Sequence, residues 1–590
     1  MMKHLNRELP TAQIIKTLVP ELVPRSALEW CYLVLSVFIF TPGLAVVGSL
    51  VPLFNGWVID TIVSSDPLAA INLVIIVQVI QTAAMFVGLL SEVLWDRYEF
   101  EVELRVAVRA FNKFHALGYR FQSAYPSGDI IARITSGCGV IVSLFSIVAK
   151  KLVPTFLTLS VSLGVLQSLG AGVIVVIIVS GALTYMLLNM RVAVLRKPLQ
   201  RAQEVTEIEL MGVMTDSITN SETIKWFAAA TRETVRLMVA FKTQRRAFLR
   251  LLYFSISTGV VLDFIQKGAF FAATYLAISR VARGESTVGE YVTFGGYIGQ
   301  LWAPIVSLSG LFTQFVILIV TGERVATILL EPNEVEDKNN ASDLLESVHR
   351  GAEATVAFHD VSFAYAEKAP GGLEALNFEV PAQRMLALVG PSGSGKTTCI
   401  RLMLRLYDVQ TGAVLIAGHN VREVTQVSLR SVIGIIGQDT VLFNAELGYN
   451  IRLGAPDASN DAVTTALELV GLGALLLGKQ SDFLKLNVGD RGTRLSGGER
   501  QRVGIARTLI RDTPVLVLDE ATSALDNQTE RLVQQTFSNA RKTTIAIAHR
   551  LTTIQHAHQI MVLKTGRVQE SGTHDELLKL QGLYSAMWQA

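Results

Sequence analysis

Gly390-Pro391-Ser392-Gly393-Ser394-Gly395-Lys396-Thr397 follows the apolar run Met385–Val389 and precedes the helical run Thr398–Tyr407. The octapeptide fits G-x-x-x-x-G-K-[ST], and a strand before it and a helix after it are the context this pattern needs. The glycines let backbone N–H groups curl around phosphate oxygens. The start of the following helix, with Thr398 in its first turn, adds partial positive charge. Lys396 then reaches the β/γ-phosphates of a nucleoside triphosphate, and Thr397 ligates Mg²⁺.

Further along, Val515-Leu516-Val517-Leu518-Asp519-Glu520 is an apolar strand that ends in two acids. Asp519 can hold Mg²⁺ through water, and Glu520 can polarise the attacking water. From about Thr355 onward, strand-like and helical runs alternate, the pattern of a parallel α/β domain. Glu331 to His349 is polar and acidic, contains Pro332, and reads as a linker.

The half before that linker is a different polymer. The chain has 590 residues, only 17% of them charged and 50% hydrophobic, which excludes a disordered chain and argues against a purely soluble enzyme. The apolar runs all lie in the first ~325 residues, each near or above the ~20 needed to span a bilayer. Trp30–Ile59, Pro67–Ser91, Leu152–Met190 and Tyr291–Gly322 carry no charge. Leu251–Ser279 carries only Asp263 and Lys267. The break Ser168-Leu169-Gly170-Ala171-Gly172 divides the longest run into two helices with a short turn. Six spans result, each satisfying its backbone within a helix.

The loop with Lys150 and Lys151 and the loop with Arg191, Arg196 and Arg250 are rich in Lys and Arg; the alternate loops are poor in them. By the positive-inside rule the rich loops and both termini lie on the cytoplasmic (or matrix) side. Both rich loops have helical periodicity and turn near Pro126-Ser127-Gly128 and Asn220-Ser221-Glu222. They read as helices continuing past the membrane. The expected organisation is an N-terminal cytoplasmic segment at 1–27 and a six-helix transmembrane domain at 28–325. A linker at 326–354 and a nucleotide-binding domain at 355–590 follow. A net charge of +2 gives no reason to expect nucleic acid, and Cys31, Cys138 and Cys399 match no metal or disulfide spacing.

Between the two phosphate motifs stands Leu495-Ser496-Gly497-Gly498-Glu499-Arg500-Gln501. With it, nearly the whole chain resembles a half-size ABC transporter of the exporter type, B subfamily. The resemblance implies six transmembrane helices with long cytoplasmic extensions, an all-α membrane domain, fused to an α/β P-loop ATPase domain. It implies ATP and Mg²⁺ as cofactors, membrane lipid around the spans, a small-molecule cargo and a second copy of the chain. It implies that Ser496, Gly497 and Gly498 contact the γ-phosphate of ATP held by the partner. Tyr365 matches the residue that stacks on adenine. Gln438 matches the glutamine touching Mg²⁺ and the attacking water. Asp526 of Ser523-Ala524-Leu525-Asp526 belongs to the D-loop, and His549 of Ala548-His549-Arg550 is the switch histidine. Two positions depart: Gly437 stands where proline is common, and Asp490 replaces the usual glutamate of the X-loop. One intact copy of each motif points to a homodimer with two active sites.

Within the family, Ser221-Glu222-Thr223-Ile224-Lys225-Trp226-Phe227 and Gln300-Leu301-Trp302-Ala303-Pro304 are similar to the mitochondrial and heavy-metal-tolerance half transporters. Gln266 fits the LNxGQ motif of that group, with Asp263 in place of its asparagine. The group's cargo is glutathione-related or a thiol conjugate. Asp263 and Lys267, four apart on one helical face, are either a self-satisfied pair or a cavity wall. Gln266, Gln300 and Gln314 offer polar contacts to a cargo, and Trp302 and Phe312 apolar surface; each serves equally as helix packing. A multidrug or lipid extruder of the same fold is the alternative. An ATP-gated channel or regulatory receptor is disfavoured by the intact Glu520.

Overall fold

The computed structural model describes residues 10–64, 66–125, 127–365, 372–473, 483–519, 527–539, 541–547 and 554–589. They fall into two compact units. One comprises Met1–His115 and Ala124–Glu331, the other Ala116–Ser123 and Pro332–Ala590.

The first unit is helical. Among the described residues, Ala27–Val63, Pro67–Ala116, Ile130–Ser168, Gly172–Thr219 and Ala230–Ala282 are long and apolar enough to cross a membrane. The remaining expected span lies within the helix Val288–Leu330. Four of these six helices have 43 or more residues, so they extend well beyond a bilayer, as the loop periodicity predicts. Gly170 takes φ +66° in the short turn between Ser168 and Gly172, and its carbonyl accepts from Arg280 Nη1 at 2.8 Å.

Small residues set the packing. A Cβ on Gly56 would lie 1.9 Å from Thr293 Oγ1, and one on Gly296 2.7 Å from Pro52 Cβ. Thr41–Val63 therefore rests backbone-close on Val288–Leu330. Asp60 ties the ends of these two helices together, accepting from Gly289 N at 2.8 Å and Thr287 Oγ1 at 2.9 Å. Thr287 and Glu290 form a capping box there.

Within the expected N-terminal segment 1–27, the described residues from Thr11 onward pack against the membrane helices. Ile14 and Leu18 of the helix Thr11–Leu18 are 1% and 0% exposed, against Gly322 and Val140. Glu21 meets Arg25 and Arg109 at 2.9 and 2.8 Å, and Glu29 meets Arg105 at 2.5 Å.

The second unit holds two sheets. Its strands are β1 (Val356–Phe363), β2 (Leu373–Val380), β3 (Met385–Val389), β4 (Thr411–Ile416), β5 (His419–Asn420), β6 (Ile433–Ile436), β7 (Val515–Asp519), β8 (Thr543–Ile547), β9 (Gln559–Lys564) and β10 (Arg567–Gly572). The larger sheet has the order β10-β9-β3-β8-β7-β6 and is parallel except for β10. The smaller, β2-β1-β4-β5, is antiparallel throughout. The alternation of strands and helices foretold the first sheet and not the second.

The polar stretch read as a linker belongs to this unit from Pro332 onward. Asp337 accepts from the 3%-exposed Arg405 side chain at 3.3 Å and from the Gln426 amide, Leu344 is fully buried, and Ser342 N donates to Glu423 O at 2.9 Å. A buried guanidinium needs acceptors, and the acidic stretch supplies them. The membrane helix in turn runs on to Leu330, past the expected boundary at 325.

Candidate functional site

Parallel strands bring their carboxyl ends to one edge, where α/β sheets bind ligands. Several of the nucleotide residues named from sequence follow the strands that end at that edge. β3 runs into Gly390–Thr397, β6 into Gly437-Gln438, β7 ends on Asp519, and β8 leads to Ala548-His549. The register pairs Ile436 with Leu518, Asp519 with Ile547, and Ile547 with Leu388, so the four ends are level. Glu520, Asp526 and His549 lie outside the described residues.

The loop after β3 is shaped by what cannot fit. At Gly390, φ +149°, a Cβ would stand 2.1 Å from the Leu563 carbonyl oxygen. At Gly395, φ +107°, it would stand 2.7 Å from Leu373 Cδ2. Only glycine meets both the angle and the space. Lys396, 9% exposed, donates from Nζ to the carbonyl oxygens of Gly390 and Pro391 at 2.7 and 3.0 Å. Ser394 Oγ is buried without a hydrogen-bond partner. A buried orphan hydroxyl is costly, and a phosphate oxygen is the acceptor it lacks. Pro391, Ser392 and Thr397 are exposed around it.

These residues fit a nucleoside triphosphate with its Mg²⁺. No group of three or more His, Cys, Asp or Glu side chains among the described residues forms a metal cage. Thr397, Gln438 and Asp519 are the residues that would hold the ion, together with substrate phosphates. Mg²⁺ would neutralise charge on those phosphates. Cys399, on the same helix, is fully buried; burial pushes its thiol up to about 12, so it packs and does not attack.

Two further elements serve the site. Ser496 caps the helix Gly497–Leu509: its hydroxyl accepts from Glu499 N at 3.3 Å, and Glu499 accepts from Ser496 N at 2.8 Å. The box leaves the Gly497 and Gly498 amides at a helix start, where anions are favoured. Tyr365 is half-buried, its hydroxyl 3.1 Å from Thr398 Oγ1 and accepting from Arg401 Nη1 at 3.0 Å.

Comparison with known proteins agrees with this geometry. Residues 34–305 match the ABC transporter transmembrane region, and residues 373–523 match the ABC transporter family. The ATM1-type heavy metal exporter of Novosphingobium aromaticivorans is 33% identical over 85% of this chain and 81% of its own length. The chain belongs to the half-size ABC exporters of the B subfamily. The human ATP-binding cassette sub-family B member 6 is 33% identical over 85% of this chain, which spans 59% of that protein's length. A solved bacterial Atm1-family ABC exporter with ATP bound superposes with TM-score 0.83 and 29% identity, over 96% of this chain and 99% of that one. As an ABC exporter the chain binds ATP and hydrolyses it to drive transport through an integral membrane domain.

The cargo residues named from sequence do not converge. In the exporter's membrane unit, Asp263 and Lys267 form an ion pair at 2.8 Å with side chains 52% and 73% exposed, and Gln266 beside them is half-buried. Gln300 donates to the Gly48 carbonyl at 2.9 Å, tying two helices. Trp302 is 2% exposed and packs against Tyr185 and Leu262, so it lines no open wall here. Gln314 accepts from Lys151 Nζ at 3.1 Å. The side chain of Phe312 lies outside the described residues.

Sequence reasoning missed a charged cavity of about 510 Å³ in this unit, lined among others by Ser91, Glu92, Lys150, Lys151 and Thr155. The Lys150-Lys151 doublet served only as an orientation signal, although its position at the mouth of an apolar run marks a polar wall equally well.

Proposed function

We propose that two copies of the chain close around two ATP molecules, each held between the Gly390–Thr397 loop of one copy and Ser496–Gly498 of the other. Closure tilts the long helices, the cargo path opens outward, and hydrolysis resets it. What carries this reading is the short helix Ser221–Trp226, where Trp226 and the following Phe227 are 71% and 76% exposed. Two aromatic rings uncovered at the far tip of a helix pair are the surface by which motion would pass to a partner's ATPase unit. A mixed dimer carrying Lys396→Ala in one copy and Ser496→Arg in the other tests it. Composite sites concentrate both lesions in one site and leave the second whole, so one nucleotide per dimer remains occluded. Loss of occlusion from both sites refutes the arrangement.

We further infer that the cargo is a glutathione-related compound or thiol conjugate and that Asp263 helps to select it. Thiolates bind soft metals, which agrees with a relative described as a heavy metal exporter. A charge pair in mid-span is costly unless it faces a cavity or partner, and Asp263–Lys267 is uncovered within the protomer. Asp263→Asn leaves Lys267 net positive, so transport shifts from cationic towards anionic conjugates with basal ATPase kept. Uptake of one anionic and one cationic substrate into proteoliposomes, beside a melting curve, decides. An unchanged substrate ratio with a lowered melting temperature makes the pair a structural brace. The alternative of an apolar cargo draws on Phe264 and Phe271, 73% and 72% exposed on the same helix; ATPase stimulation by hydrophobic drugs alone would select it.

A further inference from the structure

The segment Ala116–Ser123 interrupts the membrane half of the chain yet belongs to the ATPase unit. Its contacts there gather on a few aromatic and charged side chains. Tyr119 meets Tyr407 edge-on with centroids 6.1 Å apart. Arg120 pairs with Glu334 at 3.2 Å and lies 5.8 Å from the Tyr407 ring centre. Arg401 stands between this segment and Tyr365. Its guanidinium carbon is 5.4 Å from the Tyr119 ring centre and 5.6 Å from that of Tyr365. One of its nitrogens donates to the Tyr365 hydroxyl at 3.0 Å. Tyr407, 4% exposed, touches Tyr365 edge-on at 5.3 Å and closes the cluster.

A guanidinium attracts ring faces and carries donors in a fixed fork, so one Arg can hold two rings and a hydroxyl at once. Lysine has no fork, and a neutral side chain has neither property. We propose that Arg401 is a positioning residue that sets the orientation of Tyr365 and shares it with Tyr119, so that base recognition depends on the seating of the Ala116–Ser123 segment. The proposal rests on the reading of Tyr365 as the adenine platform.

The consequence is specific to the base. Phosphate and Mg²⁺ contacts, from the Gly390–Thr397 loop, Gln438, Asp519 and Ser496–Gly498, do not depend on the base and are the same for every nucleoside triphosphate. Stacking on Tyr365 favours ATP over UTP, whose single-ring base offers less surface. The test is the ratio of ATPase to UTPase kcat/KM in the full-length protein in proteoliposomes, for Arg401→Gln, Arg401→Lys, Tyr119→Leu, Tyr365→Leu and the double variant Arg401→Gln/Tyr365→Leu. Arg401→Gln and Tyr119→Leu are expected to lower the ATP:UTP ratio about three- to tenfold through KM for ATP, with kcat at saturation kept and Arg401→Lys intermediate. The double variant is expected to match Tyr365→Leu alone, since residues acting through one another are not additive. Melting curves show which variants remain folded, and Arg401→Lys, which keeps the charge, serves where Arg401→Gln does not. If Tyr365→Leu lowers the ratio but folded Arg401 variants leave it unchanged, the positioning role is overturned and the platform stands. If the losses of Arg401→Gln and Tyr365→Leu multiply, the two act independently and the proposal fails. If Tyr365→Leu leaves the ratio unchanged, platform and proposal fall together.

Discussion

Replacing Glu520 by Gln lowers ATP turnover by about 10²-fold or more while ATP still binds. Glu520 follows in sequence on Asp519, the last residue of β7, and the register of β7 with β8 and of β8 with β3 sets Asp519 level with the root of the Gly390–Thr397 loop. A carboxylate there can accept a proton from an attacking water; an amide of the same size donates and accepts hydrogen bonds but cannot take that proton. The exchange keeps Lys396, Thr397 and Ser394, so the phosphate grip is kept. Bound ATP then persists, and the closed dimer accumulates because only hydrolysis reopens it. Nucleotide binding and steady-state phosphate release on the same sample separate the two effects. A rate within about threefold of wild type removes Glu520 from the base role, because that is well under 1 kcal/mol of barrier.

The parts of this chain that were legible in sequence are those whose chemistry dictates residue type. A loop that must approach phosphate backbone-first needs Gly390 and Gly395, and a strand that buries both faces needs the unbroken run Val515–Leu518. The turn near Asn220-Ser221 was legible too, because these residues break a long helical period; the short helix Ser221–Trp226 stands there. The smaller sheet was not. β1 pairs with β2 and β4 through register shifts between Phe358 and Val361 and between His359 and Ser362, which blur the alternation that announces a half-buried strand. The acidic stretch after Pro332 misled for a different reason. Composition shows that Asp337 is charged; only the fold shows that Arg405 lies buried beside it. The packing of the candidate cargo residues was not legible either. Helices apolar on every face carry no periodic hint of which side packs, so Trp302 and Gln300 could be placed only by finding Tyr185 and Gly48 against them.

Replacing Lys396 by Ala weakens ATP binding and hydrolysis together, in contrast to the loss at Glu520. The ammonium is already engaged through Gly390 and Pro391, and its 9% exposure means that it is held over the loop and not drawn in from solvent. A charge-assisted hydrogen bond contributes about 1.5–3 kcal/mol, so losing one from the phosphates weakens ATP affinity about 10- to 100-fold. The same deletion leaves two loop carbonyls without that donor, costing the nucleotide-free protein about 1–3 kcal/mol if no water replaces it. A lowered melting temperature without nucleotide and a smaller rise on adding ATP therefore belong together. Lys396→Arg keeps the charge but carries a larger planar head into a loop already at contact distance, as Gly390 and Gly395 show, so it restores less binding than charge alone would give. Titration of a fluorescent ATP analogue against both variants measures the affinity. Unchanged affinity and an unchanged ATPase rate in Lys396→Ala would mean that the phosphates are held elsewhere. That outcome would also undo the composite arrangement of the mixed dimer, because the lesion placed in the Lys396→Ala copy would then be no lesion at all.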